Sequence, residues 1–195
     1  ACRREDGRAV VSQGDGFHAV GRGTVRAMMA HEPTLSHFAP RANLLPELEE
    51  VFRSYSESGT GRTRHYAHDD ADAARYGVPV GAFTPWEPFQ PGSDLLFYEG
   101  LHGCVVDNNV DLARYPDLKI GVVPVINLEW IQKLHRDRST RGYSTEAVTD
   151  VILRRMPDYV QTICPQFSWT DINFQRVPTV DTSNPFIARW IPTAD

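Results

Sequence analysis

Polar residues that follow two short apolar segments could carry chemistry in this chain. The first segment, at 9–11, leads into GDGFH at 14–18, which contains Asp15 and His18. The glycines on either side of Asp15 let the backbone approach a ligand closely, and an aspartate there could take a proton from a hydroxyl group. The alternative interpretations are a turn aspartate, and a histidine of the core or the surface.

Glu99 follows the second apolar segment, DLLFY at 94–98, which predicts a strand. Nucleotide-binding folds often place an acid at the end of such a strand, where it holds Mg²⁺ through water. A solvated acid at a strand end is the alternative interpretation. His102 lies three residues further on, but two residues do not make a metal site, and we do not predict a metalloprotein.

A third group is basic and lies within the segment LKIGVVPVINLEWIQKLHRDRSTRGY at 118–143. The segment opens with a run rich in Val and Ile at 120–126, which is typical of a strand buried on both faces. Apolar residues at helical spacing then predict a helix from about Asn127. The polar end of this segment carries the cations Lys133, Arg136, Arg138 and Arg141.

This cluster of cations indicates a site for a phosphorylated molecule. A strand followed by a helix suits phosphate binding at a sheet edge, and the planar fork of arginine matches a phosphate group. The alternative is a solvated helix end whose cations complement the helix dipole. That alternative explains Lys133 and Arg136, but it does not explain a basic run that continues past the helix to Arg141. Arg154 and Arg155, on the next predicted helix, are most simply a charged surface or a salt-bridged pair.

The overall charge limits the possible partners. A formal charge of −5 argues against broad binding of nucleic acids or anionic membranes, and no apolar run approaches membrane-spanning length. Between Lys133 and Arg155, six basic residues against three acids leave a local charge of +3. A positive site must therefore be local.

The three cysteines are far apart and form no CxxC pair, which favours neither a disulfide framework nor a zinc site. A reducing, cytoplasmic location is therefore expected. The chain begins with Ala-Cys-Arg-Arg rather than Met, and we see no signal peptide.

The order of the remaining elements indicates an α/β domain with a largely parallel sheet, and we expect residues 1–195 to form a single domain. Residues 61–93 are predicted to be an irregular, aromatic and proline-rich excursion of short strands and turns. A hydroxyl cap and an early acid predict that Ser144 starts a long helix. The predicted elements are the end of a helix at 1–8, strands at 9–11, 94–98, 120–126 and 176–180, and helices at 24–31, 44–55, from about 127 to 138, and from 144 to about 159.

Two phosphate-binding motifs do not occur in these 195 residues. There is no GxxxxGK[ST] and no GxGxxG after a strand. An interpretation as a phosphoryl-transfer enzyme therefore lacks the loop that would cradle the nucleotide phosphates.

Several long segments closely resemble the phosphoribulokinase/uridine kinase family of P-loop kinases, and within it the bacterial phosphoribulokinases. They are GDGFH at 14–18, TGRTRHYAHDD at 60–70, LLFYEGLHG at 95–103, IGVVPVINLEWIQKLHRDRSTRGYSTEAVTDVILRRMPDY at 120–159 and DTSNPFIARWIPTAD at 181–195. The resemblance covers nearly the whole chain. It implies a P-loop kinase-like α/β fold with a mostly parallel sheet flanked by helices, here lacking the first strand, which carries the P-loop.

The resemblance also implies an activity, the transfer of the γ-phosphoryl group of ATP to the 1-hydroxyl of ribulose 5-phosphate. The product is ribulose 1,5-bisphosphate, the substrate of carbon fixation in the Calvin cycle. Phosphoryl transfer passes through a loose transition state, which needs positioned cations, an in-line acceptor and a metal ion more than covalent chemistry.

Roles for single residues are likewise implied by the resemblance. Asp15 corresponds to the catalytic base and Asp137 to an acid important for catalysis, and Lys133 resembles a lysine that stabilises the transferring phosphoryl group. Glu99 corresponds to the acid at the Mg²⁺·ATP site. The residues that match sugar-phosphate ligands are His18, Arg22, Arg136 and Arg141.

Regulation and assembly are implied more loosely. Arg4 and Arg155 resemble positions tied to activation by NADH in the bacterial branch. The family forms multimers, so we expect a homo-oligomer at full length, and we expect the aromatic residues at 83–89 to be exposed, where they could serve an interface.

Some features depart from the family pattern. Ala19 stands where a further basic residue is common, and Gln13 where a Glu is common. The chain begins after the family's first strand and P-loop and lacks its C-terminal elements, so we expect these residues to keep most of the acceptor site, to lack the ATP cradle and to be inactive alone.

Two alternatives remain. The first is a uridine-type nucleoside kinase, which is disfavoured by Phe17-His18, a pair suited to binding an anion. The second is a non-catalytic sugar-phosphate-binding or regulatory protein without a P-loop.

Overall fold

The structure is a computed structural model that describes residues 7–31, 35–141, 144–177 and 187–192. The chain divides into two compact units, Ala1–Pro116 and Asp117–Asp195, and each is described by itself below. The single domain expected over 1–195 stays a prediction. The predicted helix end at 1–8 lies outside the described residues except for Gly7 and Arg8.

The first unit contains a pair of parallel strands. Strand β1 spans Ala9–Gln13, and its residues pair in order with those of strand β4, Leu95–Glu99, so that Gln13 lies opposite Glu99. Both strands were predicted, and each extends to a polar residue beyond the apolar run. Side chains alternate between the two faces, because successive residues of a strand point in opposite directions. Val10 and Leu96 pack against the core, whereas Val11 and Phe97 are exposed.

The core of the first unit is built around two elements, the turn after β1 and a long helix. Helix α1 spans Arg22–His31, and helix α2 spans Leu45–Ser58. Helix α2 ends at Gly59, whose φ of 66° is a left-handed conformation that glycine adopts without strain. The apolar face of α2 packs with Phe17, and this cluster consists of Phe17, Leu45, Leu48, Val51, Phe52, Phe89, Val105, Val110 and Leu112.

The excursion at 61–93 contains a helix that the sequence did not predict. Strands β2, Arg62–Thr63, and β3, Glu87–Pro88, pair in antiparallel fashion, and helix α3 spans Asp70–Tyr76 between them. Asp69 caps α3 by accepting a hydrogen bond from the backbone N–H of Asp72. Helix α3 buries none of its residues, so it has no apolar face from which it could have been predicted.

The aromatic residues of 83–89 were expected to be exposed and to serve an interface; the expected exposure is wrong for Phe89, and the interface stays a prediction. Phe89 is buried in the core, and Trp86 packs against the same cluster. Phe83 lies under the guanidinium of Arg64, 3.9 Å from the ring centroid. These rings stabilise the fold of the first unit.

The second unit contains a three-stranded sheet. Strand β5, Ile120–Val123, is parallel to β6, Ile172–Val177, and β6 is antiparallel to β7, Ile187–Pro192. Strand β6 begins earlier than the strand predicted at 176–180, and residues 178–180 lie outside the described part of the chain. Strand β5 was predicted to be buried on both faces, and this is wrong.

The exposure of β5 alternates along the strand. Ile120 and Val122 are 49% and 63% exposed, while Gly121 between them is buried. Gly121 faces Phe167 and Thr170, so one face of β5 is covered and the other is open. The run of Val and Ile could not distinguish the two cases, because a strand buried on one face and one buried on both can share a composition.

Two α-helices, followed by a π-helix at Tyr159–Ile163 and a 3₁₀ helix at Cys164–Ser168, connect β5 to β6 in the chain. Helix α4 spans Ile126–Arg141, so Arg141 belongs to the helix, and the prediction that the basic run continues beyond it is wrong for that residue. Helix α5 spans Thr145–Asp158, and the predicted cap is confirmed, since the Ser144 hydroxyl accepts a hydrogen bond of 3.1 Å from the N–H of Ala147. Within the described ranges, every helix falls short of the length and apolar character that crossing a bilayer requires.

Candidate functional site

The carboxyl ends of β1 and β4 lie side by side in the first unit, and the chain leaves each strand through a glycine. A Cβ atom added to Gly14 would lie 2.7 Å from the Cα of Gly100, and one added to Gly100 would lie 2.8 Å from the Cα of Gly14. Only glycines allow the two loops to approach this closely. As a result Asp15 and Glu99 share one edge of the parallel pair, which is where ligands bind in open α/β sheets.

Asp15 is held from both sides by histidines. Its Oδ1 lies 3.1 Å from Nε2 of His18, and its Oδ2 lies 3.1 Å from Nε2 of His68. The hydrogen bond from His18 and the charges of His18, His68 and His37 lower the pKa of Asp15, and this outweighs the opposite effect of burial. Asp15 is therefore a carboxylate at neutral pH, as a proton acceptor must be.

A buried polar network lies beneath Asp15. Nδ1 of His18 is 2.8 Å from Oδ1 of Asn43, and both residues are only 8% exposed. The Asn43 side-chain nitrogen donates hydrogen bonds to the carbonyl oxygens of His37 and Ala39.

His102 completes this network from the loop after β4. Its Nε2 lies 3.1 Å from the carbonyl oxygen of Phe38 and 3.5 Å from the Asn43 side-chain nitrogen. Burial lowers the pKa of His102, so the ring is neutral at neutral pH, and Nε2–H donates to the carbonyl. The network thus ties the loop at 37–43 to the loop after β4.

Arg64 fixes the turn that carries Asp15. Its Nε donates to the carbonyl of Gly16 at 2.6 Å, and its Nη2 donates to the carbonyl of His18 at 2.7 Å. The guanidinium also lies over the ring of Trp86, 4.6 Å from its centroid. Burial lowers the pKa of Arg64, but an arginine still carries its charge. Arg64 therefore adds a fixed cation close to the site.

Arg22 stands at the start of α1 on the same side of the first unit. Its Nη2 donates a 3.0 Å hydrogen bond to the carbonyl of His68, and its guanidinium lies 5.9 Å from the ring centroid of Tyr66. His68 thus contacts both Arg22 and Asp15, and that Arg22 shares a site with Asp15 and His18 stays a prediction.

The basic cluster of the second unit is organised by Asp137. This carboxylate is buried, with 3% exposure, and it accepts from Nζ of Lys133 and, at 3.3 Å, from Nε of Arg136. Lys133 lies one helical turn before Asp137, so both face the same side of α4. Lys133, Arg136 and Asp137, which lie close together in the sequence, therefore form one ion-paired group in the structure.

The remaining basic residues differ in what the structure describes. Arg138 lines a concavity of about 160 Å³ together with Ile131, Leu134, His135 and Thr145. Arg154 forms an ion pair of 2.8 Å with Asp150, as one of the two interpretations predicted, and Arg155 is partly exposed on α5. Arg4 and the side chain of Arg141 lie outside the described residues.

Sequence reasoning gave no role to four residues of the first-unit site, which are Asn43, Arg64, His68 and His102. Arg64 and His68 lie in TGRTRHYAHDD at 60–70, so the resemblance marked the segment without marking the residues. Asn43 lies in a loop with no motif, so no sequence signal marks it. In the fold, the isolated β-bridge between His18 and Asn43 places it next to the site.

A family model described as "Phosphoribulokinase / Uridine kinase family" matches residues 21–183. The chain belongs to this family. Members named phosphoribulokinase include one from Nitrobacter vulgaris, 67% identical over 198 residues, and "Phosphoribulokinase 2" of Cereibacter sphaeroides, 65% identical over 198 residues. Each alignment covers 99% of this chain and 68% of the relative.

Solved structures agree with the family assignment. A phosphoribulokinase from Rhodobacter spheroides superposes with a TM-score of 0.83 at 62% identity, covering 98% of this chain and 68% of that one. A D-glycerate 3-kinase from Cryptococcus neoformans has a TM-score of 0.61 at 13% identity, which shows a shared fold alone. The predicted family and the predicted P-loop kinase-like α/β fold are confirmed.

Proposed function

We propose that this protein transfers the γ-phosphoryl group of ATP to the 1-hydroxyl of ribulose 5-phosphate, giving ribulose 1,5-bisphosphate and ADP. Relatives 59–67% identical to it bear the name phosphoribulokinase. The observation that carries the proposal is the ionised Asp15, held between His18 and His68 at the carboxyl edge of a parallel pair of strands. The product is the CO₂ acceptor of the Calvin cycle.

Asp15 acts as the general base. Its carboxylate takes the proton of the 1-hydroxyl, the hydroxyl oxygen forms a bond to the γ-phosphorus, and the bond from that phosphorus to the β–γ bridging oxygen breaks, releasing ADP. The lowered pKa of Asp15 keeps the carboxylate unprotonated before the reaction. Its two histidine partners orient it, so little reorganisation is needed when the substrate binds.

The cations bind and orient the anionic groups. We assign the phosphate of ribulose 5-phosphate to His18, Arg22, Arg136 and Arg141, and the transferring phosphoryl group to Lys133. Asp137 orients Lys133 and Arg136 through its ion pairs with both. Charge spreads over the phosphoryl oxygens in a loose transition state, so fixed cations are worth more there than in the ground state.

Glu99 is the residue that we assign to Mg²⁺. Its carboxylate ends β4, is exposed and shares an edge with Asp15, and hard oxygen donors of this kind suit the ion. The part of the chain that the structure describes has no group of three or more His, Cys, Asp or Glu arranged for a metal. Magnesium needs none, because one or two carboxylates and the nucleotide phosphates bind it, and it neutralises charge on those phosphates.

Three further proposals concern regulation and setting. Arg4 and Arg155 are proposed to respond to an NADH activator, the protein is proposed to be a homo-oligomer, and its location is proposed to be cytoplasmic. The location is supported by three scattered cysteines that suit a reducing compartment.

A competition assay on the protein encoded by the complete gene tests the proposed reaction. Purified protein is given ATP and Mg²⁺ with equal concentrations of ribulose 5-phosphate and uridine, and both phosphorylated products are measured. We expect ribulose 1,5-bisphosphate almost alone. Preferential phosphorylation of uridine would support the nucleoside-kinase alternative. Tight binding of ribulose 5-phosphate without turnover would support the non-catalytic one.

A further inference from the structure

The orientation of the Asn43 side chain is fixed by its surroundings. Its nitrogen donates to the carbonyl oxygens of His37 at 3.0 Å and Ala39 at 2.8 Å, and an amide nitrogen has two hydrogens to give. A flipped amide would place its oxygen against both carbonyl oxygens. The oxygen of Asn43 must therefore face His18, where it can only accept.

The backbone around Asn43 holds it in register with His18. The two residues form an isolated antiparallel bridge, in which the N–H of Ala19 donates to Ala42 at 2.8 Å and the N–H of Leu44 donates to Phe17 at 2.7 Å. The contact between the side chains of Asn43 and His18 thus rests on a fixed backbone. It does not depend on a chance rotamer of either residue.

The two acceptors around His18 require two ring protons. Nδ1 faces the Asn43 oxygen at 2.8 Å, so Nδ1 carries a hydrogen. Nε2 faces Oδ1 of Asp15 at 3.1 Å, and an ionised carboxylate only accepts, so Nε2 also needs a hydrogen. Neutral imidazole has one N–H, whereas imidazolium has two.

Other ionisable groups surround this pair. The His37 ring lies 4.4 Å from that of His18, and His68 contacts the second oxygen of Asp15. Arg64 donates to the His18 carbonyl, and Tyr66 has its ring 6.2 Å away. His102 faces the Asn43 nitrogen from the other side. Asp15 is the group in contact with the ring that can balance its positive charge.

We propose that Asn43 is a positioning residue that keeps His18 doubly protonated and aims its Nε2–H at Asp15. Without the Asn43 oxygen, His18 could satisfy Asp15 as a neutral ring with its single hydrogen on Nε2. The cation beside the catalytic base therefore depends on an uncharged residue from a separate loop. Its kinetic consequence rests on the proposed phosphoryl transfer, because the cation holds Asp15 and adds positive charge where the sugar phosphate binds.

Solid-state ¹⁵N spectra of protein labelled in the histidine rings test the protonation directly. The chain has seven histidines, so the His18 signals are identified by difference from His18→Gln. The wild type is expected to show both His18 nitrogens protonated. Asn43→Leu is expected to give a neutral ring with one protonated nitrogen, whereas Asn43→Asp keeps an oxygen towards Nδ1 and is expected to retain both protons.

Measurements of kcat/KM and Tm distinguish a role of Asn43 in positioning His18 from a role in stabilising the loop at 37–43. Asn43→Leu and Asn43→Asp both lose the donors to His37 and Ala39, so both lower Tm. We expect kcat/KM for ribulose 5-phosphate to fall about tenfold to a hundredfold in Asn43→Leu and much less in Asn43→Asp. Ser36→Ala is the matched control, because its hydroxyl accepts from the N–H of Phe38 in the same loop. It is expected to lower Tm and leave the His18 spectrum and kcat unchanged.

Three results would overturn the proposal. They are a neutral His18 in the wild type, an unchanged His18 spectrum in Asn43→Leu, and equal losses of kcat/KM in both Asn43 variants that follow Tm. The wild-type spectrum decides even if a variant does not fold. A protein without kinase activity would refute the proposed function alone, since the spectra do not depend on turnover.

Discussion

Asp15 is the residue on which the proposed chemistry depends, and its replacement is the first prediction. Asp15→Asn keeps the size of the side chain but removes the proton acceptor, so we expect kcat to fall by about 10²- to 10⁴-fold. KM for ribulose 5-phosphate should change little, because His18 and Arg22 remain. Release of ADP in a coupled assay measures both parameters.

The control for this change is Asp94→Asn. Asp94 is an exposed aspartate at the opposite end of β4, where its Oδ2 lies 3.7 Å from Nε of Arg8 and accepts a 2.9 Å hydrogen bond from the Arg8 backbone N–H. Its replacement should leave kcat within about twofold, as is usual for surface pairs of little energetic weight. If Asp15→Asn retained wild-type kcat, another group would have to be the base.

The dependence of stability on pH gives a second prediction at the residue scale. Burial lowers the pKa of His102 below its ordinary value of 6.5, so the unfolded chain binds a proton first as the pH falls. The stability from this group is complete above that value and is lost as the pH falls through the lowered pKa of the folded state. Asp15 acts in the same direction at lower pH, because its pKa is lowered from 3.8.

His102→Gln tests this effect, since glutamine can still donate to the Phe38 carbonyl but cannot be protonated. We expect Tm to decline less steeply in this variant than in the wild type when the pH is lowered from about 7.5 to about 5.5. His135→Gln, at an exposed position of α4, is the matched control. An equal slope in wild type and His102→Gln would show that His102 does not set the acid sensitivity.

The sequence drew attention to Asp15 and His18 but gave no role to the residues that support them. Asp15 and His18 follow a strand in a glycine-flanked motif that resembles one of the family, and their roles stay predictions. Asn43 and His102 could not be predicted, because the role of a buried polar side chain depends on partners that distant segments supply. Asn43 is 59 positions before His102, and folding alone makes them neighbours.

At the scale of elements, the close approach of the loops after β1 and β4 gives a third prediction. A Cβ atom at Gly14 would meet the Cα of Gly100 and the hydroxyl of Tyr98, each at 2.7 Å. Gly14→Ala should therefore push the loops apart, cost about 1–3 kcal/mol of stability and lower kcat, because Asp15 is the next residue. Chemical denaturation and the ADP assay measure the two effects.

Gly23→Ala is the comparison for that variant. Gly23 lies in α1, and a Cβ atom there would meet nothing within 4 Å. Alanine should leave kcat unchanged and slightly raise Tm, because glycine weakens a helix by about 0.5–1 kcal/mol. Normal activity and stability in Gly14→Ala would contradict the view that glycine is required where the loops meet.

Elements with an apolar periodicity or a clear cap were predicted well, whereas α3 was not predicted. Helix α2 has an apolar face and β1 an apolar run, and both were predicted to within a few residues. Helix α3 buries no residue and depends on its caps at Asp69 and Gly77 instead. For β5, composition could not reveal that one face is open, because a neighbouring layer rather than the strand determines burial.

At the scale of the whole molecule, alternating strands and helices were enough to predict the α/β class, and the resemblance was enough to predict the family. Neither the alternation of elements nor the resemblance shows how the site in the first unit is placed relative to the basic cluster of the second unit. Lys133, Arg136 and Asp137 form one ion-paired group within the second unit. That this group and Asp15 act on one substrate molecule stays a prediction.

Hydrogen exchange measured with and without ribulose 5-phosphate tests that prediction in the protein encoded by the complete gene. If the sugar phosphate contacts both groups, saturating ligand should slow amide exchange at 14–22 and at 133–141 together, because ordering by a ligand suppresses local opening. Ribulose without phosphate is the matched ligand and should protect neither segment at the same concentration. Arg136→Ala should raise the concentration of ribulose 5-phosphate needed to protect 14–22. If one substrate molecule contacts both segments, the loss of one phosphate contact lowers its affinity for the whole site. Protection confined to 14–22, with the same ligand requirement in Arg136→Ala, would mean that the basic cluster of the second unit serves another purpose.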